Sequence, residues 1–222
     1  MESALLLLTG LFLGMRHAFD RDHVAAVTHF ISLEPDPLKS AWFGFRWAIG
    51  HAVTVLSLGS LIILLRLKFD PAFERYAELA VGISLIVLGI WRLGLLIQDR
   101  RHTHAHRHKE EQHRHAHSHE APRPHVHHFA PTLVGMVHGA SGTAEVFVLL
   151  PVTLMASRAL AYLYIGLFSA GCAVTMSSYG YLAGRFYRRA SEKGQRIYRI
   201  LVVLTSSIGI VLGAIWILNN LR

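Results

Sequence analysis

The sequence predicts an all-α integral membrane protein with about six transmembrane helices in two inverted three-helix repeats. Several apolar runs exceed about 18 residues, the length that a helix needs to cross a bilayer. Of the 222 residues, 52% are hydrophobic and only 16% are charged, whereas about a quarter of the residues of a soluble protein are charged. The third observation is a similarity between the two halves of the chain.

Six apolar segments are predicted to span the membrane, with turns rich in proline or charge between them. The first turn lies at residues 34–37, which include Pro35 and Pro37, because proline ends a helix and restricts the residue before it. A short turn near Ser157 and Arg158 separates the fourth and fifth segments. The six segments cover roughly residues 4–31, 40–65, 76–98, 131–157, 159–183 and 198–219.

The similarity between the halves appears when the chain is displaced by 121 positions. Residues 14–17 then match residues 135–138, and residues 50–54 match residues 171–175. A displacement of 124 positions also aligns Ile86 to Gly89 with Ile210 to Gly213. We interpret these matches as an internal duplication.

Three spans in each half place the two halves in opposite orientations. This is an arrangement of secondary transporters, which bind their substrate near the midplane between the repeats. The predicted units are residues 1–98 and 131–222 for the two repeats, with residues 99–130 as a loop between them.

Basic residues predict the orientation. Thirteen Lys and Arg residues lie in the first, third and fifth connections, and five lie on the opposite side. Because basic loops stay in the cytoplasm, both termini are predicted outside and the loop at 99–130 inside, in the cell (inner) membrane. This placement explains the net charge of +8 better than nucleic-acid binding, so the lipid bilayer and not nucleic acid is the predicted partner.

The loop at 99–130 is rich in histidine. Its composition predicts disorder without metal and a buffer or sensor that binds several metal ions weakly, rather than one defined site. It holds eleven of the sixteen histidines, namely His102, His104, His106, His108, His113, His115, His117, His119, His125, His127 and His128.

The first apolar segment contains a dense group of ionisable residues. Charged side chains inside a membrane are costly and therefore indicate a functional site, and imidazole together with carboxylate suits a transition metal. On a straight helix His17, Asp20 and His23 share one flank and Asp22 points away. Either Asp22 has another partner, or the helix unwinds and all four side chains converge.

Two further segments carry candidate metal ligands. His51 lies within the second segment, where it binds either a metal or a neighbouring helix, and His138 is the repeat counterpart of His17. We predict His17, Asp22, His23, His51 and His138 as the metal site. For charge balance or proton exchange we predict Asp20 and Glu145.

These motifs resemble those of the nickel/cobalt transporter superfamily, in its nickel permease and urease-accessory branch. The similar stretches are residues 17–23, which contain His-x4-Asp-His, residues 50–54 and residues 138–145. The resemblance implies transport of Ni²⁺, or alternatively Co²⁺, as substrate and without a prosthetic group. It also implies cytoplasmic nickel chaperones or urease-maturation proteins as partners, and it favours import.

Three other functions remain open from the sequence. The first is nickel or cobalt efflux, and the second is an intramembrane metal-dependent hydrolase, whose metal would activate water. The third is a metal sensor or assembly partner, in which the histidine loop would do the work. The chain contains no His-Glu-x-x-His pair and no Walker motif. We therefore predict a transporter and not an enzyme.

Overall fold

The computed structural model describes residues 2–65, 71–98, 129–141, 150–155 and 157–221. These residues contain helices and no strand. Glu145 and the predicted histidine loop, apart from Phe129 and Ala130, lie outside the described residues. The helices are α1 Glu2–His17, α2 Arg21–Ile31, α3 Pro37–Leu65, α4 Pro71–Gln98, α5 Ala130–His138, α6 Leu150–Leu154, α7 Arg158–Lys193 and α8 Gln195–Asn220.

Four of these helices, α3, α4, α7 and α8, are long and apolar enough to cross a membrane, and α1 is a shorter apolar helix. Their outward surfaces are apolar, with exposed side chains such as Val53, Val87, Val174 and Ile208. A surface of this kind is stable against lipid, where backbone groups must be satisfied within the helix. The prediction of a helical, multi-pass membrane protein is confirmed at this level.

The predicted first span is two helices rather than one. After His17 the amide groups of Phe19 and Asp20 donate to the carbonyl groups of Arg16 and His17, at 3.0 and 2.9 Å. Asp20 then has extended backbone angles and forms the N-cap of α2. Of the two arrangements that the sequence left open, the helix therefore unwinds at this point.

The predicted fourth span, residues 131–157, also differs from a continuous helix. Within its described part the chain forms α5, a turn at Gly139 and Ala140, and then the short α6. The turn before α7 lies where it was predicted, because Ser157 caps this helix by accepting a hydrogen bond from the Leu160 amide. The helix α7 continues to Lys193, ten residues past the predicted end of its span.

The entry to α3 shows why the predicted first turn forms there. The Asp36 carboxylate accepts hydrogen bonds from the amide groups of Leu38 and Lys39, both at 3.0 Å. Pro37 is the first residue of the helix, a position where proline is favoured because the amide has no helical partner.

The short helix α2 lies in the middle of the bundle. It contacts α3, α4, α5, α7 and α8, and nine of its eleven residues are buried. A helix that is buried on nearly all sides is part of the core and not a surface element. The N-terminal turn of α2 lies beside the ends of α1 and α5, and this arrangement brings the polar residues together.

Candidate metal centre

Four buried histidines come from four different helices. His17 is the last residue of α1, His23 lies in the first turn of α2, His51 lies within α3, and His138 is the last residue of α5. Each side chain is 2% exposed or less. The break after α1 turns the chain so that His17 and His23, six residues apart, face each other.

Three of these histidines present ring nitrogens to one point. The Nε2 atom of His17 lies 3.0 Å from Nε2 of His23 and 3.1 Å from Nε2 of His51. All three ligand atoms lie within 4.8 Å of one another. Two nitrogens that bind one ion at about 2.1 Å, at a right angle, would be about 3.0 Å apart, so this spacing suits a common metal ion.

Two carboxylates fix the protons on two of the rings. Asp20 lies 2.9 Å from Nδ1 of His17, and Asp22 lies 2.8 Å from Nδ1 of His23. Because a carboxylate only accepts hydrogen bonds, each Nδ1 donates and each Nε2 presents a lone pair. Two lone pairs 3.0 Å apart repel each other unless a cation lies between them, and this carboxylate–histidine arrangement is typical of metal ligands.

The remaining histidine, His138, lies beside this group of three. Its ring centroid is 5.7 Å from that of His23, and its Nδ1 donates to the Val134 carbonyl at 2.8 Å. Its Nε2 therefore also presents a lone pair, and this buried atom has no hydrogen-bond partner among the described residues.

The predicted acidic residues take different positions. Asp22 is buried and contacts the His23 ring, whereas Asp20 is 28% exposed and contacts the His17 ring. The structure thus places both carboxylates behind imidazoles and not among the converging nitrogens. Glu145 and the eleven loop histidines lie outside the described residues.

The site contains aromatic residues that sequence reasoning missed. The Trp47 ring stacks on His51 at 5.2 Å between centroids and lies 4.6 Å from His23. Phe168 lies 5.3 Å from His17. The sequence did contain a signal for both residues. Trp47 lies four residues before His51, on the same face of one helix, and Phe168 is its repeat counterpart, 121 positions later.

His29 is a further buried histidine that the sequence reading did not single out. Its Nδ1 lies 2.6 Å from the Ala25 carbonyl of its own helix, and its ring packs against Gly209 of α8. It lies six residues beyond His23 on α2, outside the group of three converging nitrogens.

A bundle of membrane-length helices that encloses three converging imidazoles defines a polytopic membrane protein with a buried histidine cluster that could hold a metal ion. The model of the family described as "Cytochrome C biogenesis protein transmembrane region" matches residues 22–209. The chain belongs to this family.

The chain is also similar to curated relatives over nearly its whole length. It is 29% identical to the urease accessory protein UreH of Bacillus sp. (strain TB-90), over 96% of this chain and 91% of the relative. This similarity confirms the predicted resemblance to the urease-accessory branch. No solved structure matches the chain.

Two plant proteins are similar as well. The Arabidopsis thaliana chloroplast proteins FOR GROWTH AND FERTILITY 2 and 1 are 26% and 25% identical, each over 92% of this chain. The chain spans only 54% and 56% of their lengths.

Proposed function

We propose that this protein carries Ni²⁺ across a membrane, with Co²⁺ as the alternative substrate. The observation that carries the proposal is the convergence of the Nε2 atoms of His17, His23 and His51 in the interior of a membrane bundle. The resemblance to urease-accessory membrane proteins favours nickel among the ions that imidazole binds well.

Each predicted site residue has a role in this proposal. The three converging nitrogens bind the ion, and His138 supplies a fourth lone pair from the second half of the chain. Asp22 and Asp20 hold the His23 and His17 rings, and their two negative charges balance a divalent cation where water is scarce. Glu145 remains a proposed site for proton exchange.

The helix boundaries support the proposed duplication. Both α1 and α5 end at a histidine, at positions 17 and 138, and both α3 and α7 begin at equivalent positions, 37 and 158. Each pair is 121 positions apart, and the starts of α4 and α8 are 124 positions apart. These are the same two displacements that the sequence matches gave.

The close contacts between helices support the inverted arrangement. A Cβ atom on Gly14 would overlap the Phe168 carbonyl, and a Cβ atom on Gly135 would overlap the Trp47 carbonyl. The two contacts are repeat counterparts, because Gly135 lies 121 positions after Gly14 and Trp47 lies 121 positions before Phe168. The contacts of Gly50 with Thr132 and of Gly171 with Leu11 are interchanged in the same way.

This reciprocity is what a two-fold relation between the halves requires. The helix pairs obey it too, since α1 packs on α7 as α5 packs on α3, while α3 with α7 and α4 with α8 pair across the halves. We therefore propose residues 1–98 and 131–222 as inverted three-helix repeats. The distribution of basic residues supports placing both termini outside and residues 99–130 inside, in the cell membrane.

We propose that the loop at 99–130 buffers nickel for exchange with cytoplasmic nickel chaperones or urease-maturation proteins. Weak, adjacent histidine sites suit storage and exchange rather than passage through the membrane. Deletion of residues 100–128 is expected to alter metal tolerance and to leave flux through the bundle intact. Loss of flux in a folded deletion variant would contradict this role.

Import is the proposed direction, and efflux is the alternative. An intramembrane metal-dependent hydrolase is the rival of another class, because three imidazoles with an open position also suit catalytic zinc. The relatives bear the names of an accessory protein and of growth and fertility proteins, and not of enzymes, which is indirect support against the hydrolase.

The test is flux of radiolabelled Ni²⁺ into proteoliposomes under a pH gradient imposed in either direction. His23→Ala is expected to abolish flux, whereas His29→Ala should retain most of it. The two residues form a matched pair, because both are buried histidines of α2. Equal loss in both variants, or no flux in the unmodified protein together with hydrolysis of a lipid, would refute the proposal.

A further inference from the structure

The C-terminal end of α2 is held by a buried arginine from α4. Arg92 is buried, with 5% of the residue exposed. Its Nε donates to the Ser32 hydroxyl at 2.8 Å, and its Nη2 donates to the Ser32 carbonyl at 2.7 Å. Ser32 is the C-cap residue of α2, so the positive charge lies where the helix dipole is negative.

A third helix joins the same contact. The Tyr198 hydroxyl of α8 donates to the Ser32 carbonyl and accepts a hydrogen bond from Arg92 at 3.1 Å. The Ser32 hydroxyl donates in turn to the His29 carbonyl at 2.9 Å. The carbonyl groups of His29 and Ser32, at the end of α2, are thereby satisfied.

This contact and the histidine site lie at opposite ends of one rigid element. Asp22 and His23 are in the first turn of α2 and Ser32 follows its last turn, so about 14 Å of helix separates His23 from Ser32. Because α2 is short and is followed by a turn, its axial position depends on what holds its two ends.

Arg92 and Tyr198 have no counterparts of the same residue type in the proposed repeat. The positions that correspond to Arg92 and Tyr198 in the proposed repeat, 124 positions away, are Trp216 and Glu74. At the Arg92 end, polar side chains also link α2 with α7, since the hydroxyl groups of Thr28 and Tyr179 are 2.5 Å apart. The polar contacts that hold α2 at this end are therefore not explained by the proposed duplication.

We propose that Arg92 is a positioning residue that, with Ser32 and Tyr198, clamps α2 and closes the histidine site at the end of the bundle where α7 meets α8. Breaking the clamp frees the C-terminal end of α2 and makes the interior of the bundle accessible from the end where α7 meets α8. The inference rests on the proposed function for its meaning in transport, because α2 carries two residues of the proposed ion site.

The test is the rate at which a thiol reagent labels a cysteine at Thr28 in the purified protein in detergent. In this first set, the reference protein and every variant carry Thr28→Cys and Cys172→Ser. The loss of the Thr28 hydroxyl is therefore the same in all of them. Arg92→Met is expected to raise the labelling rate about ten-fold or more, since it removes charged hydrogen bonds. Arg92→Lys keeps the charge but not the fork of donors, and should give a smaller rise.

Two controls separate the clamp from general loosening. Arg188→Met removes an arginine near the same end, from an exposed ion pair with Glu192, and should leave the rate unchanged. In a second set that retains Thr28, the buried Cys172 reports on the bundle as a whole, and its labelling should not respond to Arg92→Met.

An unchanged rate at position 28, or an equal rise at Cys172, would overturn the proposal. Should Arg92→Met fail to fold, Ser32→Ala and Tyr198→Phe decide by the same criterion, because each removes one part of the clamp and keeps the guanidinium. Labelling needs no metal. A working clamp in a protein that moves no nickel would therefore refute the proposed function alone, and nickel flux with unchanged labelling would refute the clamp alone.

Discussion

The Asp22→Asn substitution tests how the carboxylates contribute to the ion site. The change keeps the shape of the side chain and removes its negative charge. Asp22 accepts a hydrogen bond of 2.8 Å from Nδ1 of His23, one of the three proposed ligands. Loss of such a partner typically weakens metal affinity about 10- to 100-fold, which corresponds to about 1.4–2.7 kcal/mol.

The assay is equilibrium binding of Ni²⁺ to the purified protein, together with the electronic spectrum of the Co²⁺ form. The affinity of Asp22→Asn should fall by that factor, while the spectrum retains the pattern of the same nitrogen ligands. Asp36→Asn is the control, because Asp36 only caps α3 and asparagine caps a helix about as well. An affinity within two-fold of the parent, or loss of a nitrogen ligand from the spectrum, would refute the reasoning.

The remaining predictions concern packing and orientation. Gly14→Ala is expected to destabilise the fold, because its Cβ would overlap the Phe168 backbone, whereas Gly166→Ala, with no atom near its Cβ, should not. Thermal unfolding of both variants in detergent measures the difference. Equal stability of the two variants would show that α1 and α7 do not touch here. Cysteines at Glu192 and Ala72, both exposed, are expected to lie on opposite sides, so an impermeant thiol reagent applied to intact cells should label only Ala72→Cys in a Cys172→Ser background. The reverse pattern would overturn the orientation.

Much of the site followed from local sequence. The cost of burying charge identified the stretch from His17 to His23, and the 121-residue displacement identified His138. The sequence did not decide between a straight and an unwound helix. Neither glycine nor proline, the residues that usually mark a break, occurs between His17 and Arg21. The choice depends on neighbours, because unwinding lets His17 contact both His23 and His51.

Other features depend on residues far apart in the chain. Arg92 and Ser32 are 60 positions apart, and Gly209 receives the ring of His29 from the other half of the chain. No periodic pattern encodes such pairs. The end of α7 could not be read from hydropathy for a different reason. Its last residues are basic, and hydropathy detects the part of a helix in lipid and not its continuation into water.

The helix contacts follow the proposed two-fold repeat, whereas the residues of the histidine site do not. In the scaffold, Gly14 and Gly135 make equivalent contacts, and α1 and α5 end at equivalent histidines. The chemistry is not equivalent, because the counterpart of Asp20 is Ser141 and the counterpart of His51 is Cys172. The proposed duplication thus accounts for the meeting of polar residues at the ends of broken helices. Both carboxylates and three of the imidazoles lie in the first half of the chain, so the proposed cation site is built mainly from that half.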